Sequence, residues 1–428
     1  MSRGNARGWI VTFAGLGINL ALGVLYSWSV IAKVLSKPVA DHGWGWTAGQ
    51  ASLPYAIGVG VFALSMVFAG RAQDKFGPRI VATIGGALCG LGLIMASFGT
   101  PSNNLPILLG FGLMTGLGMG LGYAAATPAA VKWFPPARKG LITGLVVAGF
   151  GLASVYIAPL TKALIASSGV PGAFRFLGIG FLVFTVAMAQ LLVNPPADYV
   201  PAGSIPALAP GAEATAAVRR EYDWREMVRT PQFALLWLMY ACSAFAGLMI
   251  IGHMAKIAAL QMAGLDLGFL LVATLAVGNA LGRVVAGIVS DKIGGTRTMF
   301  IVFVAQAALM GILAFSDSAA MLIPVAAAVG FCYGSNLSLF PSTTAGYFGT
   351  KHLGVNYGLV FTAWGVGGVF GSMTAGSIVD STGSYGVAYA IAAGLCVLAA
   401  TLTFATRPPK PADAVGAGAL AETERAAA

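Results

Sequence analysis

Twelve times along this chain, a run of about 19 or more apolar and small residues appears, and at roughly 1.5 Å per residue each run is long enough to cross the hydrocarbon of a bilayer. The runs fall near 9–34, 49–70, 79–98, 105–131, 140–165, 173–193, 233–258, 266–290, 297–315, 319–346, 354–379 and 386–405. Hydrocarbon offers no water to unpaired backbone groups, so segments of this length must satisfy their own hydrogen bonds as helices. Only 9% of the 428 residues are charged, against 57% that are hydrophobic, which excludes an ordinary soluble domain. The expectation is an all-α membrane protein with twelve transmembrane helices, embedded in a lipid bilayer.

Lys and Arg together exceed Asp and Glu by ten. In a soluble chain such an excess would suggest nucleic acid, but here its placement explains it. Eighteen of the 24 basic residues lie at the two ends or in loops after even-numbered spans, among them Arg71, Lys75, Arg79, Lys132, Arg138, Lys139, Lys292, Arg297 and Lys351. Lys33, Lys37, Lys162, Arg175 and Lys256 flank the other side. An even number of spans puts both termini on one side, and the basic bias makes that side cytoplasmic. The expected location is therefore the cell membrane, with no nucleic-acid partner. The basic start MSRGNARGW precedes an apolar run too long for a signal-peptide core, so it is expected to stay as the first span. Cys89, Cys242, Cys332 and Cys396 are scattered through apolar spans without a CxxC, which indicates neither a disulfide framework nor a metal site.

One long connection, 194–232, begins as a Pro/Ala/Gly-rich stretch and ends in a segment, Arg219 to Met227, with the makings of a short surface helix. It divides the chain into an N-terminal six-helix half (1–193), a cytoplasmic linker loop (194–232), a C-terminal half (233–406) and a disordered cytoplasmic tail (407–428). The halves repeat. Gly70-Arg71-Ala72-Gln73-Asp74-Lys75-Phe76-Gly77 follows the second span, and Gly287-Ile288-Val289-Ser290-Asp291-Lys292-Ile293-Gly294 follows the eighth, with the two Asp residues 217 positions apart. Trp133-Phe134 precedes Gly140 after the fourth span, and Tyr347-Phe348 precedes Gly354 after the tenth, at an offset of 214. Two independent landmarks agree on one period, as a duplicated six-helix unit requires.

A permanent charge, Arg283, sits inside the eighth span, and Asn279 lies one helical turn before it on the same face. A guanidinium in hydrocarbon costs several kcal/mol unless it lines a wet cavity or meets an anion. No other apolar span carries an acidic residue at its middle to serve as a partner. An intramembrane cation left without an internal counter-charge points to an anionic substrate. The alternative is a structural arginine bonded to helix carbonyls within the bundle.

The pattern GxxxD(K/R)xGx(R/K) between spans two and three, echoed between eight and nine, resembles the signature of the major facilitator superfamily. Asp74 and Asp291 at helix ends, beside Arg79 and Arg138, would then lock and release the two halves through charge-assisted bonds. Arg138-Lys139-Gly140-Leu141-x-x-Gly144-x-x-x-Ala148-Gly149 is similar to the fifth-helix signature of monocarboxylate transporters, and Gly8-Trp9 is a weaker echo of their first. Arg229-Thr230-Pro231-Gln232-Phe233, Leu339-Phe340-Pro341-Ser342-Thr343 and Asn356-Tyr357-Gly358 resemble the oxalate:formate antiporter branch. The resemblance implies that Arg283 binds the substrate anion. It also implies pocket positions at Tyr26, Tyr123, Phe150, Tyr333 and Phe361, with Leu145 facing inward. Three departures bear on specificity. Asn279 stands where animal monocarboxylate transporters carry Asp, Lys33 and Lys37 lie towards the outer end of the first helix, and Trp364 replaces the second cation of the oxalate transporter. One positive charge suits one carboxylate.

Other features carry less. His253, the histidine within a span, is expected to bond a neighbour or face water near the outer end of helix seven, and Asp266 and Asp380 are expected to be structural. Gly116, Gly118, Gly120, Gly122, Gly365, Gly367, Gly368 and Gly371 contain small-xxx-small spacings that let helices approach. With no strand before any glycine motif, no Walker motif and no Ser/His/Asp constellation, the sequence implies no cofactor and no enzymatic activity. A signalling receptor of the same fold would need a larger soluble domain than the tail supplies, and a cationic pocket disfavours a drug exporter. The expected function is secondary transport of a small monocarboxylate of the lactate or pyruvate type with a proton. The alternative is an organic anion exchanger of the oxalate/formate type.

Overall fold

The structure, a computed structural model, describes residues 3–41, 43–196, 198–201, 221–261 and 268–409. Asp266, linker residues 202–220 and tail residues 410–428 lie outside the described residues, as do the side chains of Lys256 and Asp380. Helix α1 runs over Arg3–Leu22, tightens into a 3-10 turn at Gly23–Ser27 and resumes at Trp28–Leu35. Next come α2 (Ala48–Phe76), α3 (Pro78–Ala96) and α4 (Leu105–Val131), the last with a π-helical opening at Leu108–Thr115. After the linker come α7 (Pro231–Gln261), α8 (Gly268–Ile293), α9 (Gly295–Ala314), α10 (Ala319–Phe348), α11 (Leu353–Thr382) and α12 (Gly386–Ala405).

Between α4 and the linker, helical geometry runs from Lys139 to Ala189, but Gly169 breaks it with φ 69°. That left-handed conformation favours glycine, and Pro171 follows within the first turn of the next helix. The break separates α5 (139–168) from α6 (170–189), so the 11 apolar segments among the described residues become twelve crossings. The short linker helix is Trp224–Val228, opened by Asp223, whose side chain accepts from the Glu226 amide while the Glu226 side chain accepts from the Asp223 amide.

Both described ends of the chain and the α2–α3, α4–α5, α8–α9 and α10–α11 turns share one face, called here the terminal face. The halves meet along two seams, α2 with α11 and α5 with α8. Glycines set both approaches. A Cβ on Gly144 would come within 2.3 Å of the Arg283 carbonyl oxygen, and one on Gly358 within 2.5 Å of the Met66 carbonyl oxygen. Inside the second half, α8 and α10 interlock through Gly278, Gly282, Gly330 and Gly334, where an added Cβ would meet a backbone oxygen at about 2.0 Å or less. This is helix packing of the small-residue kind expected where lipid supplies no hydrophobic drive. The glycines singled out in α4 and α11 act likewise: Gly118 lies against the backbone of Gly85 and Cys89, and Gly371 against that of Phe245.

Candidate substrate site

Arg283 lies in the interior stretch of α8 and is fully buried. Its Nε donates to Asn279 Oδ1 at 2.9 Å, the bond that i, i+4 spacing on a helix allows. Its Nη1 donates across the seam to the carbonyl of Val147 on α5. Its Nη2 has no hydrogen-bond partner, and no acidic group among the described residues pairs with the guanidinium. A guanidinium carries five N–H donors, so two bonds leave the outer part of the fork free. The Phe150 ring centroid lies 6.0 Å from Cζ, within cation–π range.

Aromatic rings close around this group. Tyr26, placed by the 3-10 interruption of α1, lies beside Asn279 and Arg283 and packs edge-on against Phe150 at 5.7 Å. Phe361 of α11 is the hub, with Phe62, Tyr123 and Tyr357 at 5.5–5.7 Å and Trp364 stacked at 4.9 Å. Trp364 Nε1 donates to the Tyr333 hydroxyl at 2.9 Å. The hydroxyls of Tyr123, Tyr240 and Tyr357 gather near one another, yet none makes a well-formed hydrogen bond. A buried hydroxyl without a partner costs about 1–3 kcal/mol, so a polar ligand or water here would relieve several groups at once.

Of the residues singled out from sequence, Tyr26, Tyr123, Phe150, Asn279, Arg283, Tyr333, Phe361 and Trp364 thus share one neighbourhood. Leu145 is half-buried on α5, and no ring or polar contact ties it to the others. Phe62, Tyr240 and Tyr357 belong to the same neighbourhood and were not singled out as pocket residues. The signal that could have found Tyr240 and Tyr357 is the one that raised Tyr123, a phenol inside an apolar span. His253 lies elsewhere, with Nδ1 2.8 Å from the Tyr385 hydroxyl and Nε2 3.1 Å from the Ser372 carbonyl oxygen.

The terminal face is shut below the site by a reciprocal pair of contacts. Asp291, in the last turn of α8, accepts from the Gly140 and Leu141 amides at the start of α5 at 2.7 and 2.8 Å. Asp74, in the last turns of α2, accepts from the Val355 amide at the start of α11 at 3.2 Å. Charge-assisted bonds were expected to Arg79 and Arg138. Both arginines are exposed instead, and the carboxylates bond to backbone amides. The first amides of a helix have no partner within the helix and carry its positive dipole end, which favours a carboxylate there. Asp291 has both oxygens engaged, whereas Asp74 Oδ1 has no hydrogen-bond partner. Towards the opposite face the enclosure loosens: Tyr26 is half-buried, and Tyr55, two turns from Phe62 on α2, is 37% exposed.

Comparison with known proteins agrees with this architecture. The Major Facilitator Superfamily pattern matches residues 8–275 and 251–426. The oxalate:formate antiporter of Oxalobacter formigenes is 29% identical over 385 residues, covering 88% of this chain and 86% of that protein. Monocarboxylate transporter 13 of Bos taurus is 27% identical over 410 residues, covering 94% and 89% respectively. Among solved structures, the transporter FucP in its outward conformation superposes with a TM-score of 0.67 at 16% identity, over 93% of this chain and all (100%) of FucP. With twelve apolar helices in this arrangement and a family match running through both halves, the chain belongs to the Major Facilitator Superfamily and is a multi-pass membrane transporter.

Proposed function

We propose that the protein is a secondary transporter of small monocarboxylates, of the lactate or pyruvate type, that carries a proton with the anion and works by alternating access in the cell membrane. The observation that carries this reading is the buried, unpartnered Nη2 of Arg283. A carboxylate would take the free edge of the fork as a planar, bidentate pair, a geometry that lysine does not match. Asn279, already bonded to Nε, keeps the fork oriented and lies beside Tyr26, which is close enough to share the substrate's polar end. Phe361 and Trp364 form an apolar wall that limits the side chain, and the neutral Trp364 offers no second charge to a dianion. The monocarboxylate and anion-exchanger relatives support an organic anion as the substrate class.

Alternating access follows from the two seams. With both termini cytoplasmic, as the basic loops indicate, the closed terminal face is the inner gate and the looser side around Tyr26 and Tyr55 is the outer approach. Rocking the halves to open the inner gate breaks the Asp291 and Asp74 contacts with the partner helices. An empty site whose charge is Arg⁺ resists that passage until an anion neutralises it. The test is uptake of labelled lactate into proteoliposomes. Arg283→Ala removes one side of a buried charge pair, a loss of about 2–5 kcal/mol, or roughly 30-fold or more in affinity. Arg283→Lys should be nearly as poor. Normal uptake by either variant would refute the assignment.

A second reading is exchange of organic anions without a proton. It draws on one observation: no carboxylate or imidazole contacts Arg283 among the described residues, so no side chain beside the site stands ready to carry a proton. Uptake driven by an acid-outside gradient supports symport, whereas counterflow indifferent to pH supports exchange.

A further inference from the structure

One large cavity lies away from Arg283. It has a volume of about 1300 Å³ and opens on the terminal face, where the start of α5 from the first half meets the α8–α9 turn and the ends of α10 and α12 from the second. Four features of its wall point to one ligand chemistry. Arg297 and Arg407 line it, both exposed, and neither has an acidic partner among the described residues. Lys139 lines it from the first half, its Nζ donating to the Ala345 carbonyl at 3.3 Å. The first turn of α9, a helix of 20 residues, enters it at Gly295 with no side chain capping the start. Thr343 is 5% exposed, and its hydroxyl has no hydrogen-bond partner. That hydroxyl is aimed at the α9 turn, since a Cβ on Gly295 would come within 2.4 Å of it.

The acidic residue in the wall does not offset this. Both oxygens of Asp291 are engaged by the Gly140 and Leu141 amides. Free helix amides, two unpaired guanidinium groups and an unsatisfied hydroxyl together suit a tetrahedral oxyanion. The corresponding place in the first half lacks this chemistry. There Pro78 follows Gly77 as Gly295 follows Gly294, and proline has no N–H to offer. The rim adds a second property, for Ile301 is 54% and Phe404 69% exposed beside the polar wall. Apolar and cationic sides meeting at a membrane boundary fit the junction of a headgroup and its acyl chains.

We propose that this cavity binds a phosphate group, carried by an anionic phospholipid or free in solution, at the α9 amino end between Arg297, Arg407 and Thr343. Because Pro136, Lys139 and Gly140 come from the first half, Tyr222 from the linker and the remaining wall from the second half, the site is complete while the Asp291 contact is made. An occupant therefore stabilises the closed terminal face by mass action.

The experiment is thermal unfolding of the full-length protein in neutral detergent with phosphatidylglycerol, phosphatidylcholine or inorganic phosphate. Phosphatidylglycerol should raise the midpoint in a concentration-dependent way, and zwitterionic phosphatidylcholine should not. The Arg297→Gln, Arg407→Gln double variant should weaken the response at least tenfold, while Arg283→Ala keeps it, which separates this site from the substrate site. Gly295→Ala, which crowds the Thr343 hydroxyl, should weaken the response independently of charge. A shift from inorganic phosphate with none from phosphatidylglycerol assigns the site to free phosphate. No shift from either source, an equal shift from phosphatidylcholine, or an undiminished response in both the double variant and Gly295→Ala overturns the proposal.

Discussion

The two seams that join the halves are built alike at one end and differently in the middle. At the terminal face each is closed by an aspartate at one helix end bonded to the first amides of a helix in the other half: Asp291 to Gly140 and Leu141, Asp74 to Val355. At mid-depth the α5–α8 seam carries Arg283, bonded across to Val147, whereas the α2–α11 seam carries rings, with Phe62 against Phe361 and Trp364 at 5.5 and 5.8 Å. The two halves thus share a matching closure at the terminal face, while the charge lies on one seam and the rings on the other. That division suits a ligand with one charged and one apolar end.

The sharpest way to break this comparison is to crowd each seam by one methyl. Gly144→Ala pushes a Cβ to 2.3 Å from the Arg283 carbonyl oxygen, and Gly358→Ala pushes one to 2.5 Å from that of Met66. Overpacking of this kind costs about 1–3 kcal/mol or more, so both variants should melt earlier. Gly144→Ala should also lose anion uptake, because the backbone that moves carries the guanidinium. Gly358→Ala should retain substrate-induced stabilisation. Equal loss of binding in the two would show that the seams are not specialised.

A smaller effect is expected at the gates. Asp291 makes two bonds at 2.7 and 2.8 Å, and Asp74 makes one to the Val355 amide at 3.2 Å. Hydrogen bonds to charged groups contribute about 1.5–3 kcal/mol each, so Asp291→Ala should open the terminal face more than Asp74→Ala. Hydrogen exchange at the amides of 140–141 and of 355 reads this directly, and faster exchange in Asp74→Ala than in Asp291→Ala would reverse the ranking. On the ring side, Trp364→Phe deletes the 2.9 Å bond to Tyr333, a change of about 1 kcal/mol. It should admit longer monocarboxylates about fivefold better, read as KM, while small ones change little.

The smallest effect concerns Lys132, just beyond α4, which burial pushes below the ordinary lysine value although Asp74 and Glu221 pull the other way. A cation with a lowered native pKa binds its proton less tightly when folded, so stability rises as pH climbs through the window between the native value and the ordinary lysine value. The difference in midpoint between wild type and Lys132→Met across that window should show this slope. A flat difference would mean that the neighbouring carboxylates fully offset the burial.

How far the site could be read from sequence varied with the kind of signal. Asn279 and Arg283 stood out because a charge in an apolar span is rare and i, i+4 spacing places two side chains together. Tyr123 and Tyr333 are legible as phenols in apolar runs, and Tyr240 and Tyr357 carry the same signal, but nothing in the order of residues says which phenols share a pocket. Phe62 carries no signal, since a ring in hydrocarbon looks alike whether it faces lipid, a neighbour or a ligand. Leu145 was expected inward on resemblance alone. The aspartates are legible through their repeat, whereas their partners are not, because a backbone amide has no sequence signature.

The run lengths, the 217- and 214-residue offsets and the lone charge of Arg283 are local or periodic properties, and for those the order of residues suffices. Helix number, duplication and an intramembrane cation follow from them. Which groups meet that cation was decided by tertiary structure. Glycines such as Gly144 and Gly334 let helices distant in sequence approach until backbone touches backbone. That closeness brings the Val147 carbonyl to Nη1 and leaves Nη2 without a partner.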